Sequence, residues 1–516
     1  MIKFTKLTAL VFLIAACTPE KPQTSKFSTE GNPNYQPPTF TNSDRVTKMA
    51  DAFPIIDEIY KAYATQNNFP SITYGLVAEG KLIHSGSHGL SNIEANRAAD
   101  TKALYRIASM SKSFTAMAIL KLRDEGKLQL QDPAAKYLPE LNGVTYLTND
   151  SAPITIQQLL TMSAGLPEDN PWGDRQLDDS DQELLDFIGT GLSFSNAPGL
   201  EYEYSNLGFA MLGNIIKNVA GTSYQQYITN NILQPLGMVD SKWEYTEIPD
   251  DRLALGYHWI NSEWQPEPIL HDGAFGAMGG LICSIEDFSK YVSLHLDAWP
   301  PRNDPDTGPV KRSTLREMHQ LWRVNPSVPT HDEYGPLVYG YAYGLGWRKD
   351  ARGIIRISHS GGLPGYGSEW RIYPDYGIGV VSFSNRRYGA PSSANAKVLD
   401  TLLAIANLQP RTLPVSEILA QRKSELLALF PSWDDQSKIF SENFYLDKTL
   451  ALRVKEVKEV FDQAGKVVSV GELIPENQLR GRFTIVCENK NVEVFFTLTP
   501  EKVPLIQQLT LRTSGN

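Results

Sequence analysis

Cysteine is almost absent: in 516 residues only Cys17, Cys283 and Cys487 occur. So few thiols exclude a disulfide framework, because Cys283 and Cys487 fall in what read as separate globular parts. Histidine is sparse too. The eight histidines show no metal-ligand spacing, and His84 with His88 alone makes a poor site, so neither a metal nor another cofactor is expected. There is no cationic excess: the formal net charge is −10, which argues against nucleic acid or other polyanions as partners. Long apolar runs are also missing. The run at 7–16 is too short to cross a bilayer as a mature helix.

That short run still carries information. Residues 1–16, with Lys3 and Lys6 ahead of the apolar stretch, read as a secretory signal. It ends Leu13-Ile-Ala-Ala-Cys17, which resembles a bacterial lipobox, so Cys17 is the expected lipidation site and membrane anchor. Thr18 and Pro19 follow instead of an acidic residue. The resemblance to sorted lipoproteins therefore implies a lipid-anchored envelope protein on the outer membrane, facing the periplasm. Residues 17–45, rich in Pro, Ser, Thr and Asn, cannot bury a core and read as a flexible tether.

Residues 46–408 read as one large domain. Helical periodicity covers 46–66, and 71–78 with 81–86, split by Glu79-Gly80, predict a β-hairpin. Far downstream, 354–358, 367–374 and 377–384 read as strands, and an alanine-rich helix at 392–407 closes the unit. Strands at both ends with helical sequence between them predict an α/β (α+β) fold. One antiparallel sheet is built from the two ends and flanked by helices, and a helical subdomain is inserted. The Pro- and Asp-rich stretch 299–333 reads as a surface insertion with one short helix. Residues 411–516, helices first and alternating strands after, predict a small α+β accessory domain. It is faintly similar to NTF2-like domains, on no specific motif.

The chemistry is concentrated in three segments. Ser109 and Lys112 form the sole Ser-x-x-Lys of the chain, at the start of a helix apolar on several sides. That spacing puts hydroxyl and amine on one helical face. A serine needs a base to become a nucleophile, and a buried lysine with a depressed pKa can be one. The bland alternative is an exposed helix with a serine near its cap. The second segment holds Tyr204, placed as a general base if a lysine cation favours its phenolate, and Asn206, an amide able to orient a side chain or substrate carbonyl. Its bland counterpart is a capping Ser205-Asn206 pair with a core tyrosine. The third is His359-Ser360-Gly361-Gly362 after a strand, where glycines let a ligand approach the backbone. The Gly362 N–H can then pair with that of Ser109 as an oxyanion hole. A plain glycine-rich turn reads equally well there.

Taken together these segments resemble the serine β-lactamase and penicillin-binding-protein superfamily, nearest to class C β-lactamases, D-amino acid-specific peptidases and β-lactamase-fold esterases. Further matches are Ile154-Thr-Ile-Gln-Gln-Leu-Leu-Thr-Met-Ser-Ala-Gly-Leu-Pro, Gly279-Gly-Leu-Ile-Cys-Ser-Ile-Glu-Asp-Phe and Tyr343-Gly-Leu-Gly-Trp347, in family order over roughly residues 50–408. The resemblance implies a serine hydrolase that forms an acyl-enzyme on esters, peptides or amides, with a small-molecule or peptide acyl substrate. Two alternatives stand beside it: a β-lactamase, and a non-catalytic lipoprotein that binds cell-wall peptides or a partner. Oligomeric state is not legible. One departure matters: where penicillin-recognising enzymes carry Lys-Thr-Gly, this chain has His359-Ser360-Gly361. A mostly neutral histidine weakens carboxylate binding and shifts the expectation toward esters or peptides. Acidification toward the histidine's titration would restore the cation, unless Arg371, Arg386 or Arg387 supplies it. Thr161-Met-Ser163-Ala-Gly lacks the first glycine of a nucleophile elbow, so an α/β-hydrolase reading fails.

Overall fold

The computed structural model describes residues 30–433 and 438–514; the signal segment, Cys17 and the tether's first part, to residue 29, lie outside them. Gln36–Asn516 form one compact unit. Its main sheet takes strands from both ends of the large domain: β1 (Ser71–Ala78), β2 (Lys81–Asn92), β3 (Arg97–Ala98), β4 (Arg323–Val324), β5 (Val338–Tyr341), β6 (Gly346–Lys349), β7 (Ile355–Leu363), β8 (Tyr366–Tyr373) and β9 (Ile378–Ser384). The order across the sheet is β3-β2-β1-β9-β8-β7-β6-β5-β4. N-terminal β1 pairs antiparallel with C-terminal β9, Ile72 opposite Ser384.

Central strands are buried on both faces, so alternation sorts their side chains between two cores. Along β9, Val381 and Phe383 face one cluster, with Phe288 and Tyr291 of a helix spanning Ile285–Asp297. Ile378 and Val380 face another, with Ile56 and Tyr60 of α1 (Phe53–Gln66) and Val398 and Leu399 of a helix at Ser392–Ile405. Burying each such side chain contributes about 1.5–3 kcal/mol. The inserted helical subdomain is built around α2 (Ser111–Asp124) and α3 (Asn206–Ala220), both almost wholly buried in their first turns.

Three details differ from expectation. The stretch 299–333 is not merely a surface insertion, because it donates β4, which pairs with β5 at the sheet edge. The end of the expected tether is engaged: Thr39 exchanges backbone hydrogen bonds with Thr412, at 3.1 and 2.8 Å, and Phe40 lies under the guanidinium groups of Arg45 and Arg411. The strand before the glycines does not stop at Ser358. Backbone pairing with β8 continues through His359, Gly361 and Gly362 to Leu363.

After residue 408 come α4 (Glu417–Leu429), α5 (Leu450–Ala464) and a five-stranded sheet whose central strands run Arg480–Cys487 and Asn491–Leu498. Alternate residues Phe483, Ile485, Val492, Val494 and Phe496 share one core with Leu419, Leu426 and Phe461. Cys283 and Cys487 are free thiols, each buried.

Candidate active site

Ser109 sits in a one-turn 3-10 segment, Ala108–Met110, that runs directly into α2. Its N–H therefore belongs to a first turn, where backbone donors lack intrahelical partners. The preceding Ala108 holds a left-handed backbone, φ +52°, a conformation that costs a non-glycine residue about 1 kcal/mol or more. Three residues on, Lys112 lies one turn along the same face and is completely buried. Its Nζ is 3.0 Å from Ser109 Oγ, 2.6 Å from Asn206 Oδ1 and 3.0 Å from the Met278 carbonyl.

The geometry constrains the proton. Asn206 Oδ1 and the Met278 carbonyl can only accept, so each takes an N–H from Lys112. A neutral amine has two N–H groups and one lone pair, and the third direction points at the Ser109 hydroxyl. Burial pushes the Lys112 pKa down to about 7, partly opposed by the Asp174 and Asp169 carboxylates. The neutral base form is thus accessible near neutral pH.

Asn206 is fixed by its position at the start of α3. The Ser205 side chain accepts from the Gly208 N–H, and Asp169 accepts from the Asn206 and Leu207 N–H groups at 2.6 and 2.9 Å. The Asn206 amide donates to Asn170 Oδ1 at 3.1 Å, which settles which of its ends faces Lys112. So the capping arrangement and the site arrangement coexist in one residue pair. The Tyr204 hydroxyl faces Ser109, and its ring lies 4.8 Å from Lys112 Nζ. Its expected ease of ionisation is not found. Burial, above all, raises the Tyr204 pKa well above the ordinary phenol value, with Tyr202, Asp174 and Asp169 adding to the rise. That burial favours the protonated phenol, a hydrogen-bond donor.

Strand β7 supplies the opposite wall. A Cβ on Gly361 would come within 2.3 Å of the Ile107 carbonyl and 2.9 Å of Ala108 Cβ, so only glycine lets the strand lie against the segment that carries Ser109. Because β6 pairs with β7 no further than Ser358, residues 359–363 present that edge without a β6 neighbour. Ser109, Tyr204, His359, Ser360, Gly361 and Gly362 all line one cavity of about 470 Å³. Gly344, at φ +66°, performs the matching close approach on the far side of α2: a Cβ there would meet the Lys112 carbonyl at 2.9 Å.

His359 is neutral and fully engaged. Its Nδ1 lies 2.6 Å from the Ser360 carbonyl, an acceptor, so Nδ1 carries the proton and Nε2 accepts from the Tyr341 hydroxyl at 3.0 Å. Burial and then the Lys112 charge push its pKa down to about 3. Acidification through the ordinary histidine range therefore does not create a cation here, contrary to the expectation from sequence. The three arginines offered as substitutes are occupied as well. Arg371 pairs with Glu369 at 2.7 Å, Arg387 with Glu267 at 3.2 Å, and Arg386 donates to the Asn67 carbonyl.

Asp169, Asn170 and Asp174 were not singled out by sequence. They lie in and at the ends of a single helical turn, Asn170–Gly173, some thirty residues before Tyr204, in a stretch without apolar periodicity where an acidic residue reads as solvated surface. Asp174 is buried, lines the cavity, and its Oδ1 has no hydrogen-bond partner. Among the described residues no cluster of His, Cys, Asp and Glu is placed to hold a metal ion.

The beta-lactamase family model matches residues 56–405, which include every one of these groups. The chain belongs to the beta-lactamase family. Protein flp of Staphylococcus aureus (strain COL) is 29% identical over 339 residues, 64% of this chain, and the match spans 62% of that protein's length. Beta-lactamase-like protein 2 of Dictyostelium discoideum is 30% identical over 395 residues, 74% of this chain and 69% of that protein. In fold, the chain is similar to the octameric penicillin-binding protein homologue from Pyrococcus abyssi. The TM-score is 0.58 at 22% identity, over 88% of this chain and 99% of the other.

Proposed function

We propose that this beta-lactamase-family chain is a serine hydrolase that works through an acyl-enzyme on esters or on peptide and amide bonds. One observation carries the reading. The Lys112 amine is held 3.0 Å from Ser109 Oγ with its two other contacts going to acceptor-only oxygens. In the forward step Lys112 takes the Ser109 proton as Oγ attacks the acyl carbonyl, and the Ser109 and Gly362 N–H groups hold the oxyanion. Tyr204 donates a hydrogen bond at the reacting oxygens, and the Lys112 ammonium, which holds the proton taken from Ser109, returns it to the leaving group. Water then repeats the sequence on the acyl-enzyme. A neutral His359 beside Ser109 favours uncharged groups next to the scissile carbonyl, hence the esterase and D-peptidase relatives over class C β-lactamases.

A fluorophosphonate probe tests this directly. Peptide mass spectrometry is expected to place the phosphonyl adduct on Ser109. An unlabelled protein that still binds cell-wall peptides would support the non-catalytic alternative instead.

We also propose that the protein is anchored by lipid at Cys17, on the strength of the lipobox-like Leu13-Ile-Ala-Ala-Cys17. Cys17→Ser should move the protein from the membrane pellet to the soluble periplasmic fraction. Retention in a salt-washed pellet would reject the anchor.

A further inference from the structure

The small C-terminal domain leaves one flank of its sheet open. The outermost strand on that side is β10 (Val467–Val470), which pairs with β12 (Arg480–Cys487) and with no other strand. A further strand, β11 (Ile474–Asn477), prolongs the same flank, because it too pairs with β12, farther along. An edge strand presents unpaired backbone N–H and C=O groups, and soluble chains blunt such edges with short length, bulges or charge. This one is short, and its register shifts between Val467 and Ser469. Its side chains nevertheless do not suit a free edge. All four residues of β10 are exposed, Val468 at 66% and Val470 at 40%, and Ile474 follows at 56%.

The order of residues along the flank points to what covers it. The segment Lys466-Val-Val-Ser-Val-Gly-Glu472 is complementary to itself when turned antiparallel about Ser469. Val468 of one copy then lies opposite Val470 of the second, and Lys466 opposite Glu472. The two-fold axis repeats each pair, so two valine pairs lie inside two opposite-charge pairs. Both kinds are favourable cross-strand neighbours. Moving the centre one residue either way loses this match: Lys466 falls opposite Val470 or Ile474, and Glu472 opposite Ala464 or Val468. Parallel pairing in register sets Lys466 beside Lys466, like charge against like. Both charged side chains are exposed, and among the described residues neither forms an ion pair. The same lysine that discourages a foreign strand thus finds its counterpart in a second copy of this chain.

We infer that β10 is a dimerisation edge, at which two copies pair antiparallel about Ser469 and join their small domains into one continuous sheet. A ladder this short buries less than a permanent interface needs, so the dimer forms reversibly and depends on protein concentration. The inference owes nothing to the hydrolase reading.

The test uses the full chain carrying Cys17→Ser, whose remaining thiols, Cys283 and Cys487, are buried. In sedimentation velocity, the average mass should climb from one chain toward two as concentration rises. Val468→Lys should hold the protein at one chain without lowering its melting temperature, since the replaced side chain is exposed. Lys466→Glu alone and Glu472→Lys alone should each weaken association about tenfold. The double exchange, which only reverses the sense of each pair, should restore it. Adding Ser469→Cys should give a disulfide-linked dimer on a non-reducing gel after mild oxidation, because the two cysteines meet on the axis. Gln508→Cys, on the opposite edge strand of the sheet, should not. A chain that stays single at the highest attainable concentration overturns the inference. So does a dimer that survives Val468→Lys, one that the double exchange fails to restore, or one that Ser469→Cys does not cross-link. A single chain whose edge instead takes up an added peptide strand of unrelated sequence would replace the second copy with a foreign partner.

Discussion

Ser109→Ala is expected to lower kcat for p-nitrophenyl butyrate by roughly 10³ or more, to a level set by the oxyanion donors and binding alone. The fold should survive. The Ser109 side chain is buried, but in the protein its hydroxyl meets Lys112 and Tyr204 rather than a backbone group. Removing it leaves the Lys112 contacts to Asn206 and Met278 in place. The loss of one such hydrogen bond costs about 1 kcal/mol, a shift of about one degree in Tm for a chain of this size. The measurement is p-nitrophenolate release against a buffer blank, with circular dichroism and thermal melting on the same samples. Activity above a tenth of wild type in a folded variant would exclude Ser109 as the nucleophile.

The parts of the site legible in the sequence are those whose chemistry depends on local spacing. Ser109 and Lys112 meet because three residues make one helical turn, and the apolar run after them announces burial of the amine. Tyr204 and Asn206 are legible as residues flanking a helix start. The sheet built from both ends follows from the strand signals at 71–86 and 354–384. What stayed hidden depends on tertiary contact. The charge state of Tyr204 is set by burial, which outweighs the nearby lysine, and no spacing rule reports that balance. His359 reads as a titratable group until the Ser360 carbonyl and Tyr341 hydroxyl occupy both its nitrogens. Glycines 361 and 362 signal a turn by composition, yet a paired strand runs through them, and at Gly361 Ile107 and Ala108 leave no room for a side chain. Asp174 carries no motif at all. It gains meaning from the wall of the cavity that it lines.

The identity of the base separates Lys112→Met from Tyr204→Phe. Methionine fills the space of a fully buried side chain but takes no proton, so turnover should fall by roughly 10²–10⁴, the usual scale of general-base catalysis. Tyr204→Phe removes a donor rather than the base and should cost far less, about tenfold. Equal losses would return the base role to Tyr204. The pH profile provides the independent readout. The active form of Lys112 is the free amine, and burial pulls its pKa down to about 7, so wild-type kcat/KM should rise with pH and level off above that point. Below it the rate should fall tenfold per unit as the ammonium forms. Asp174 sets the position of this limb, because its carboxylate favours the charged amine and raises the Lys112 pKa. Asp174→Asn removes that stabilisation, so the acid limb should move to lower pH while the plateau keeps its slope of zero. Asp174 is the cleaner choice for this test than Asp169, whose carboxylate also caps the helix that carries Asn206. A limb that stays where it was in Asp174→Asn, or one that sits near the ordinary lysine value in wild type, would mean that a group other than Lys112 takes the proton from Ser109.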